Sequence, residues 1–191
     1  MRLSMRPTFL ASLLIASVCA LPGYARAPEP AHVRVSLRAD TSTIVPGQPF
    51  TVAVTFKLDP TWHVYFKDPG ESGMPPEIKW TLPAGLTSGE LQFPKPEVLK
   101  TPAGTNFVYH DEVWLLVTMT PGSEFKAGSV VEIAADVSWL ECDADRCLPA
   151  KQQASSSVTV ADRVTPTDQQ QFESWRAKIK EAESFDPAAA K

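Results

Sequence analysis

The chain has 191 residues, of which 43% are hydrophobic and 21% charged, and this length predicts a single domain. Its 18 Lys and Arg are outnumbered by 22 Asp and Glu, so a net charge of −4 argues against a nucleic-acid partner, which would need a basic surface. The only long apolar run lies in the first 21 residues, and no membrane-spanning helix is expected after it.

Residues 1–27 have the pattern of a secretory signal peptide. Arg2 and Arg6 precede an apolar run over residues 9–21, and an Ala-x-Ala exit ends at Ala27. An uncleaved anchor is the alternative, although the apolar run is short for a membrane span. We expect cleavage after Ala27, export to an oxidising compartment, and no membrane insertion of the mature chain.

Residues 28–164 are predicted to form an all-β domain. Residues 32–37 and 51–56 alternate polar and apolar side chains, as strands with one buried face do. Runs of this kind recur at regular spacing along the sequence, with no helical pattern among them, and this favours an immunoglobulin-like antiparallel β-sandwich. The other predicted strands are 62–66, 78–82, 90–93, 113–118, 130–140 and 156–160. The stretch 67–102 is rich in Pro and Gly and is expected to hold mainly irregular loops.

One amphipathic helix is predicted in the segment 165–191. Thr165 is the expected N-cap, with Pro166 at the first helical position and Pro187 marking the end. An apolar stripe follows at spacings of three and four: Phe172, Trp175, Ile179 and Ala182. The helix is expected to dock on the sandwich, and the alternative is a partner-binding helix or a stub toward another domain.

Signal cleavage would remove Cys19 and leave Cys142 and Cys147. An even number of cysteines in an oxidising compartment predicts one disulfide. Only four residues separate the two cysteines, so the chain must fold back sharply, and closing this ring gives only about 2 kcal/mol in the chain-entropy model. The residues alone leave two interpretations open, a disulfide that opens and closes and a merely structural one.

Metal binding is a further alternative for the two thiols. Zinc would need two more ligands, for which only His32, His63 and His110 remain, and copper would combine thiolates with Met74 and a histidine. Neither set resembles a closed metal site. No metal and no cofactor are therefore predicted.

The sequence around the cysteines is acidic. Glu141, Asp143 and Asp145 outweigh Arg146, and negative charge disfavours a thiolate. We therefore expect thiols that are not strongly activated, as suits an electron carrier better than a strong oxidant.

Four ordered motifs carry a family resemblance. They occupy residues 60–78, 82–86, 107–116 and 139–149, and the last ends in the cysteine pair followed by Leu-Pro. Together they resemble the N-terminal periplasmic domain of the thiol:disulfide interchange protein DsbD and its relatives, over residues 30–162.

This resemblance implies an immunoglobulin-like domain that acts as an oxidoreductase and electron carrier, in a family associated with cytochrome c biogenesis. Its two cysteines would take electrons from a thioredoxin-like domain fed by a membrane transporter and pass them to thioredoxin-like periplasmic oxidoreductases. By motif, Cys147 would form the mixed disulfide and Cys142 would resolve it. His63 and Tyr65 would lie beside the pair, and Phe107 would end the segment that caps it. The alternative is that His63 and Tyr65 are ordinary sheet residues and Phe107 is a core aromatic.

Two departures from the family pattern matter. The chain ends at Lys191 without transporter helices, so we expect the membrane electron transporter to be a separate protein. The cap segment 100–107 lacks acidic and aromatic character before Phe107. A non-enzymatic periplasmic binding or chaperone module with a structural disulfide remains the alternative function.

Overall fold

The computed structural model describes residues 31–102 and 104–191. The predicted signal peptide, Cys19 and Ala103 of the cap segment lie outside the described residues. In chain order the elements are β1 (Val33–Ala39), β2 (Thr41–Ile44), β3 (Phe50–Leu58), β4 (Val64–Gly70), β5 (Glu77–Thr81), β6 (Leu86–Gln92), β7 (Glu97–Thr101), β8 (Gly104–Tyr109), β9 (Glu112–Pro121), β10 (Val130–Cys142), β11 (Cys147–Val160), β12 (Thr165–Pro166) and α1 (Gln169–Ala182).

Two larger sheets enclose the main core. One has the order β1-β3-β9-β6 and the other β12-β2-β11-β10-β5, and all their pairings are antiparallel except that of β2 with β11. The inner faces of both sheets share one apolar cluster, in which Phe56 of β3 meets Trp139 of β10 edge to face at 5.8 Å between ring centroids. The predicted all-β, immunoglobulin-like sandwich with a C-terminal helix is confirmed.

A third, smaller sheet joins β4, β8 and β7 in that order. β5 and the end of β6 match the strands predicted at 78–82 and 90–93, but with β4, β7 and the rest of β6 most of residues 67–102 is strand, so the expectation of mainly irregular loops was wrong. The prolines do not prevent pairing because Pro83, Pro94 and Pro96 lie between strands. Pro69 lies within β4, where the register against β8 shifts between Tyr65 and Gly70.

A long hairpin of β10 and β11 leads to the cysteines. The two strands pair continuously from Val130 opposite Thr159 to Cys142 opposite Cys147. The sequence predicted only the last five residues of β11, because its first half is mostly polar and only partly covered. The ladder fixes the positions of both cysteines at the end of the hairpin.

The helix starts later than predicted. Thr165 is not its N-cap, because Thr165 and Pro166 form β12 against β2, and the Thr41 Oγ1 donates a hydrogen bond to the Thr165 carbonyl at 2.9 Å. The N-cap is Asp168, in the left-handed region with φ 48° and with no side-chain capping bond. A tertiary contact thus takes the backbone group that an earlier helix start would use.

Helix α1 docks on the first sheet. Phe172 is fully buried and lies 5.3 Å from Trp114 of β9 between ring centroids, and Trp175 stacks on the same ring at 6.3 Å. The Arg176 guanidinium donates to the Asp40 carboxylate at 2.7 Å. Across residues 31–102 and 104–191, no helix has the length and apolar character needed to cross a membrane.

Candidate functional site

The cysteine pair closes the end of the β10–β11 hairpin. Cys142 and Cys147 form a disulfide, with their Cα atoms 4.1 Å apart as directly opposed residues. The Asp143 carboxylate accepts hydrogen bonds from the backbone N–H groups of Asp145 and Arg146, both at 2.9 Å. These backbone donors, that of Asp145 above all, hold the pKa of Asp143 below its usual value. The turn that brings the sulfurs together is therefore held by a local side chain.

The two cysteines differ in exposure. Cys142 is 1% exposed and packs with Tyr65 and Val108 in a small apolar cluster, whereas Cys147 is exposed. The backbone of Cys142 is held by two hydrogen bonds to His63, of 2.8 and 3.1 Å. Cys147 thus lies at the surface, whereas Cys142 is enclosed by the fold.

Tyr65 and His63 form a polar chain that ends on the buried sulfur. The Tyr65 hydroxyl donates to Cys142 Sγ at 3.1 Å, and it lies 4.0 Å from Cys147 Sγ. His63 Nε2 lies 3.4 Å from the same hydroxyl. Burial raises the pKa of Tyr65. Burial also lowers the pKa of His63 to about 4, an effect that His110 strengthens and Asp143 opposes. Both side chains are therefore neutral at neutral pH.

A second histidine, His110, lies next to His63 on the side chains' path toward the surface. The ring centroids of His63 and His110 are 5.6 Å apart, and His110 Nδ1 lies 3.1 Å from a carboxylate oxygen of Glu97. The side chains of His110 and Glu97 are 31% and 68% exposed. Neighbouring polar side chains therefore lie between solvent and the buried sulfur of Cys142, in the order Glu97, His110, His63 and Tyr65.

One of the three acids that flank the cysteines in sequence is enclosed by the fold. Glu141 is 1% exposed, and its carboxylate accepts hydrogen bonds from the His32 backbone N–H and from Trp139 Nε1, both at 2.9 Å. Its charge is used to hold the N-terminal end of the first sheet against β10. Asp143 and Asp145 remain as the acids of the hairpin turn.

Arg146, next to Cys147, lies on a stack of rings. Its guanidinium carbon is 5.6 Å from the Trp62 ring centroid, and Trp62 stacks on His32 at 3.8 Å. Arg146 Nε also lies 3.8 Å from the Asp143 carboxylate. The cation is thereby kept beside the exposed cysteine.

A groove of about 730 Å³ opens beside the disulfide. Its walls include both cysteines, His63, Tyr65 and the segment 99–102 from β7 onward. The beginning of the predicted cap segment therefore does border the disulfide.

Phe107 lies elsewhere. It is fully buried in the main core and packs on Phe185 at 5.2 Å between ring centroids. The neighbouring residue in β8, Val108, contacts the disulfide cluster instead, because successive side chains of a strand point to opposite faces. The sequence analysis thus pointed to the correct strand, β8, but Phe107 is on the face of that strand that points away from the disulfide.

Two supporting residues were missed by the sequence reasoning. Gly73, with φ +96°, lies so close to Tyr65 that an added Cβ would be 2.1 Å from its ring. Asn106 is buried, and its side-chain oxygen accepts hydrogen bonds from Ser72 N at 3.0 Å and Ser72 Oγ at 3.1 Å. Both hold the turn after β4 against the site. The signals for them were the inclusion of Gly73 in the first of the four motifs and of Asn106 in the cap segment 100–107.

The metal alternatives gain no support from the geometry. In the part of the chain that the structure describes, no three side chains of His, Cys, Asp or Glu are grouped so that they could hold a metal ion. The chemistry that the arrangement offers is that of a disulfide with one exposed and one enclosed sulfur.

Comparison with known families decides the classification. Residues 33–159 match the family of the N-terminal domain of thiol:disulfide interchange protein DsbD. The chain belongs to the DsbD N-terminal domain family. A search of the curated proteins finds no match. The matched residues of this family member include the hairpin, both cysteines, Tyr65 and His63.

Two solved structures of related domains resemble this DsbD N-terminal family member. The N-terminal periplasmic domain of ScsB from Proteus mirabilis matches with a TM-score of 0.57 and 20% identity, over 82% of this chain and 57% of that one. The reduced DsbD N-terminal domain of Neisseria meningitidis gives a TM-score of 0.41 and 15% identity, over 70% of this chain and 90% of that one. At these identities, the likeness to the ScsB domain shows the fold alone. The chain spans little more than half the length of that domain.

Proposed function

We propose that the disulfide of this protein exchanges electrons with thioredoxin-like partners in the periplasm. The observation that carries this proposal is the asymmetry of the pair, since Cys147 is exposed at a groove while Cys142 is 1% exposed. A disulfide that serves only stability has no need of one accessible sulfur beside an open groove. Membership of a thiol:disulfide interchange family supports the same chemistry.

The exchange begins at Cys147. A partner thiolate attacks Cys147 Sγ, a partner–Cys147 disulfide forms, and the Cys142–Cys147 bond breaks with its electron pair on Cys142 Sγ. The partner's second thiol then attacks its own sulfur in the mixed disulfide and releases Cys147, so two electrons reduce this protein and the partner is oxidised. The reverse sequence passes the electrons to the next protein. Exposure supports Cys147 as the attacked sulfur. In the reverse direction the neighbouring Arg146 cation favours the Cys147 thiolate, which supports Cys147 as the attacking thiol.

The cellular setting is part of the proposal. Residues 1–27 act as a signal peptide, residues 28–164 carry the exchange, and residues 165–191 supply the docked helix and tail. The electrons originate from a membrane transporter and reach Cys147 through a thioredoxin-like donor, and the acceptors include oxidoreductases of cytochrome c biogenesis. The ScsB domain that this chain resembles is periplasmic, which supports the same compartment here. Mass spectrometry of the exported protein should give a chain that starts at Pro28.

Trapping of mixed disulfides tests the proposed roles. Cys142→Ser leaves Cys147 without a resolving thiol, so adducts with thioredoxin-like proteins should accumulate after acid quenching and alkylation. Cys147→Ser is the matched control and should trap far less, because Cys142 is buried. Equal trapping by both variants would overturn the roles. Failure of both, with a wild-type disulfide that resists a thioredoxin-type reductant, would favour the binding or chaperone module with a structural disulfide.

A further inference from the structure

We propose that Tyr65 is the proton donor to Cys142 Sγ when the disulfide opens, and that His63 and His110 connect Tyr65 to solvent. This inference rests on the proposed exchange at Cys147, but it concerns the proton rather than the electrons. In this proposal both histidines take part in proton transfer, a role that disulfide formation between the cysteines does not by itself require.

Burial of Cys142 creates the need for such a donor. The leaving sulfur is enclosed, with its residue 1% exposed, so a negative charge that forms there is poorly solvated. The Tyr65 hydroxyl already points its proton at this atom, at 3.1 Å. That distance is within the range for direct transfer from a general acid.

The histidines supply the route by which Tyr65 recovers its proton. Because the Tyr65 proton faces the sulfur, its oxygen accepts from His63 Nε2 at 3.4 Å, which places the His63 proton on Nε2 and leaves Nδ1 as an acceptor. The His110 ring lies 5.6 Å from the His63 ring and is 31% exposed. A carboxylate oxygen of Glu97 lies 3.1 Å from His110 Nδ1 and holds that ring.

The proposed step is balanced in atoms and charge. As the partner–Cys147 bond forms and the Cys142–Cys147 bond breaks, the electron pair stays on Cys142 Sγ, which takes the Tyr65 proton and becomes a thiol. Tyr65 takes the Nε2 proton of His63, while His63 Nδ1 receives a proton that solvent delivers at His110. The net change consumes the Cys142–Cys147 disulfide, one partner thiolate and one proton, and it forms one mixed disulfide and one thiol. His63 ends with its proton on Nδ1 and regains the Nε2 form when the proton path runs in reverse.

Burial and the neighbouring charges keep Tyr65 protonated and His63 neutral, as the proposed proton transfer requires. Burial raises the pKa of Tyr65, so the phenol keeps its proton at neutral pH. Burial and the neighbouring His110 lower the pKa of His63 to about 4, against the opposing charge of Asp143 in the hairpin turn, and this keeps His63 neutral. The other charged groups on the groove wall are Lys100, Asp145 and Arg146. The Tyr65 hydroxyl is therefore protonated through the physiological pH range.

Reduction of the oxidised chain by dithiothreitol tests this relay without any protein partner. Stopped-flow rate constants are divided by the concentration of dithiothreitol thiolate at each pH. Tyr65→Phe should lower the corrected constant about tenfold or more, and His63→Gln should lower it less, by roughly threefold. Tyr109→Phe is the matched control: its hydroxyl donates to the Pro94 carbonyl instead, so the constant should stay unchanged. Tyr65→Phe with the wild-type constant would overturn the proposal.

A second measurement uses only the wild-type protein and so does not depend on the folding of a variant. With the thiolate concentration matched in H₂O and D₂O, reduction should be slower in D₂O, because a proton moves as the S–S bond breaks. Equal rates in the two solvents would overturn the proton-donor role. Since dithiothreitol replaces the partner, these results stand apart from the trapping of thioredoxin-like proteins, whose failure would instead contradict the proposed function.

Discussion

At the scale of single residues, the site depends on how closely Tyr65 is held to the buried sulfur. Gly73 lies against one side of the Tyr65 ring, and Val108 and Cys142 pack with it in one small cluster. The Tyr65 hydroxyl therefore has a fixed direction toward Cys142 Sγ. Small changes around the ring should affect the exchange more than they affect the rest of the fold.

Gly73→Ala tests this support. The new Cβ would lie 2.1 Å from the Tyr65 ring at φ +96°, so the variant should lose about 2–4 kcal/mol of unfolding free energy and most of its exchange rate. Gly47→Ala is the matched control, since Gly47 has φ +78° and nothing lies within 4 Å of its Cβ position. The control should lose only about 1 kcal/mol and exchange at the wild-type rate. If Gly73→Ala and Gly47→Ala changed the unfolding free energy and the rate of reduction by dithiothreitol equally, Tyr65 would not be held by Gly73.

His63 should make stability depend on pH. The unfolded chain protonates this histidine near the ordinary histidine pKa of 6.5, whereas the folded chain does so only near 4. The unfolded state therefore binds more protons between these values, and stability falls as the pH drops through this window. From pH 7 to pH 5, His63 should account for a loss of about 2 kcal/mol. Urea unfolding of His63→Gln should show a correspondingly smaller loss, and an identical loss in both proteins would contradict the low pKa.

At the scale of elements, the β10–β11 hairpin holds the two cysteines opposite each other. The Asp143 carboxylate caps the turn through the N–H groups of Asp145 and Arg146. This turn favours the disulfide, because it keeps the thiols of the reduced protein close together. The geometry of the turn, more than its net charge, should therefore tune the equilibrium.

Two substitutions of Asp143 separate the geometry of the turn from its charge. Asp143→Asn keeps an oxygen that accepts both hydrogen bonds, whereas Asp143→Ala removes it, and both remove the negative charge. Asp143→Ala should therefore have a reduction potential less negative than that of Asp143→Asn by about 20 mV. Equilibration with glutathione redox buffers measures both. Identical potentials would show that the turn contacts do not favour the disulfide.

Helix α1 is the second element with a clear energetic role. Phe172 is 0% exposed and Trp175 is 9% exposed, and both pack on Trp114 of β9. Phe172→Ala should cost about 3–5 kcal/mol in urea unfolding, because it leaves a cavity in the main core. Glu173→Ala is the control: its side chain is 72% exposed, so the change should cost less than about 0.5 kcal/mol. A small loss in both variants would show that the helix is not part of the folded unit.

At the scale of the whole molecule, sequence periodicity predicted the strands that have one clearly buried face. β1, β3 and β9 alternate or run apolar and were found close to their observed bounds. β7 and the first half of β11 expose most of their side chains, so no hydrophobic pattern identified them. Their pairing is set by neighbouring strands rather than by their own sequence.

The site shows the same division between local and long-range information. The motifs brought attention to His63, Tyr65 and the cysteines, which the fold then places together. His110 entered only as a candidate metal ligand, because its position beside His63 depends on the pairing of β4 with β8. Phe107 was misplaced by one residue, and one residue is enough to reverse the face of a strand.

The reduction potential of the Cys142–Cys147 pair tests the central claim most directly. The oxidised chain is equilibrated with defined dithiothreitol and glutathione buffers, and its thiols are counted by alkylation and mass spectrometry. An exchanging disulfide should have a potential above about −300 mV, within the range of thioredoxin-like proteins, and thioredoxin should reduce it. A potential below about −300 mV, together with resistance to thioredoxin, would contradict the account and show a structural disulfide.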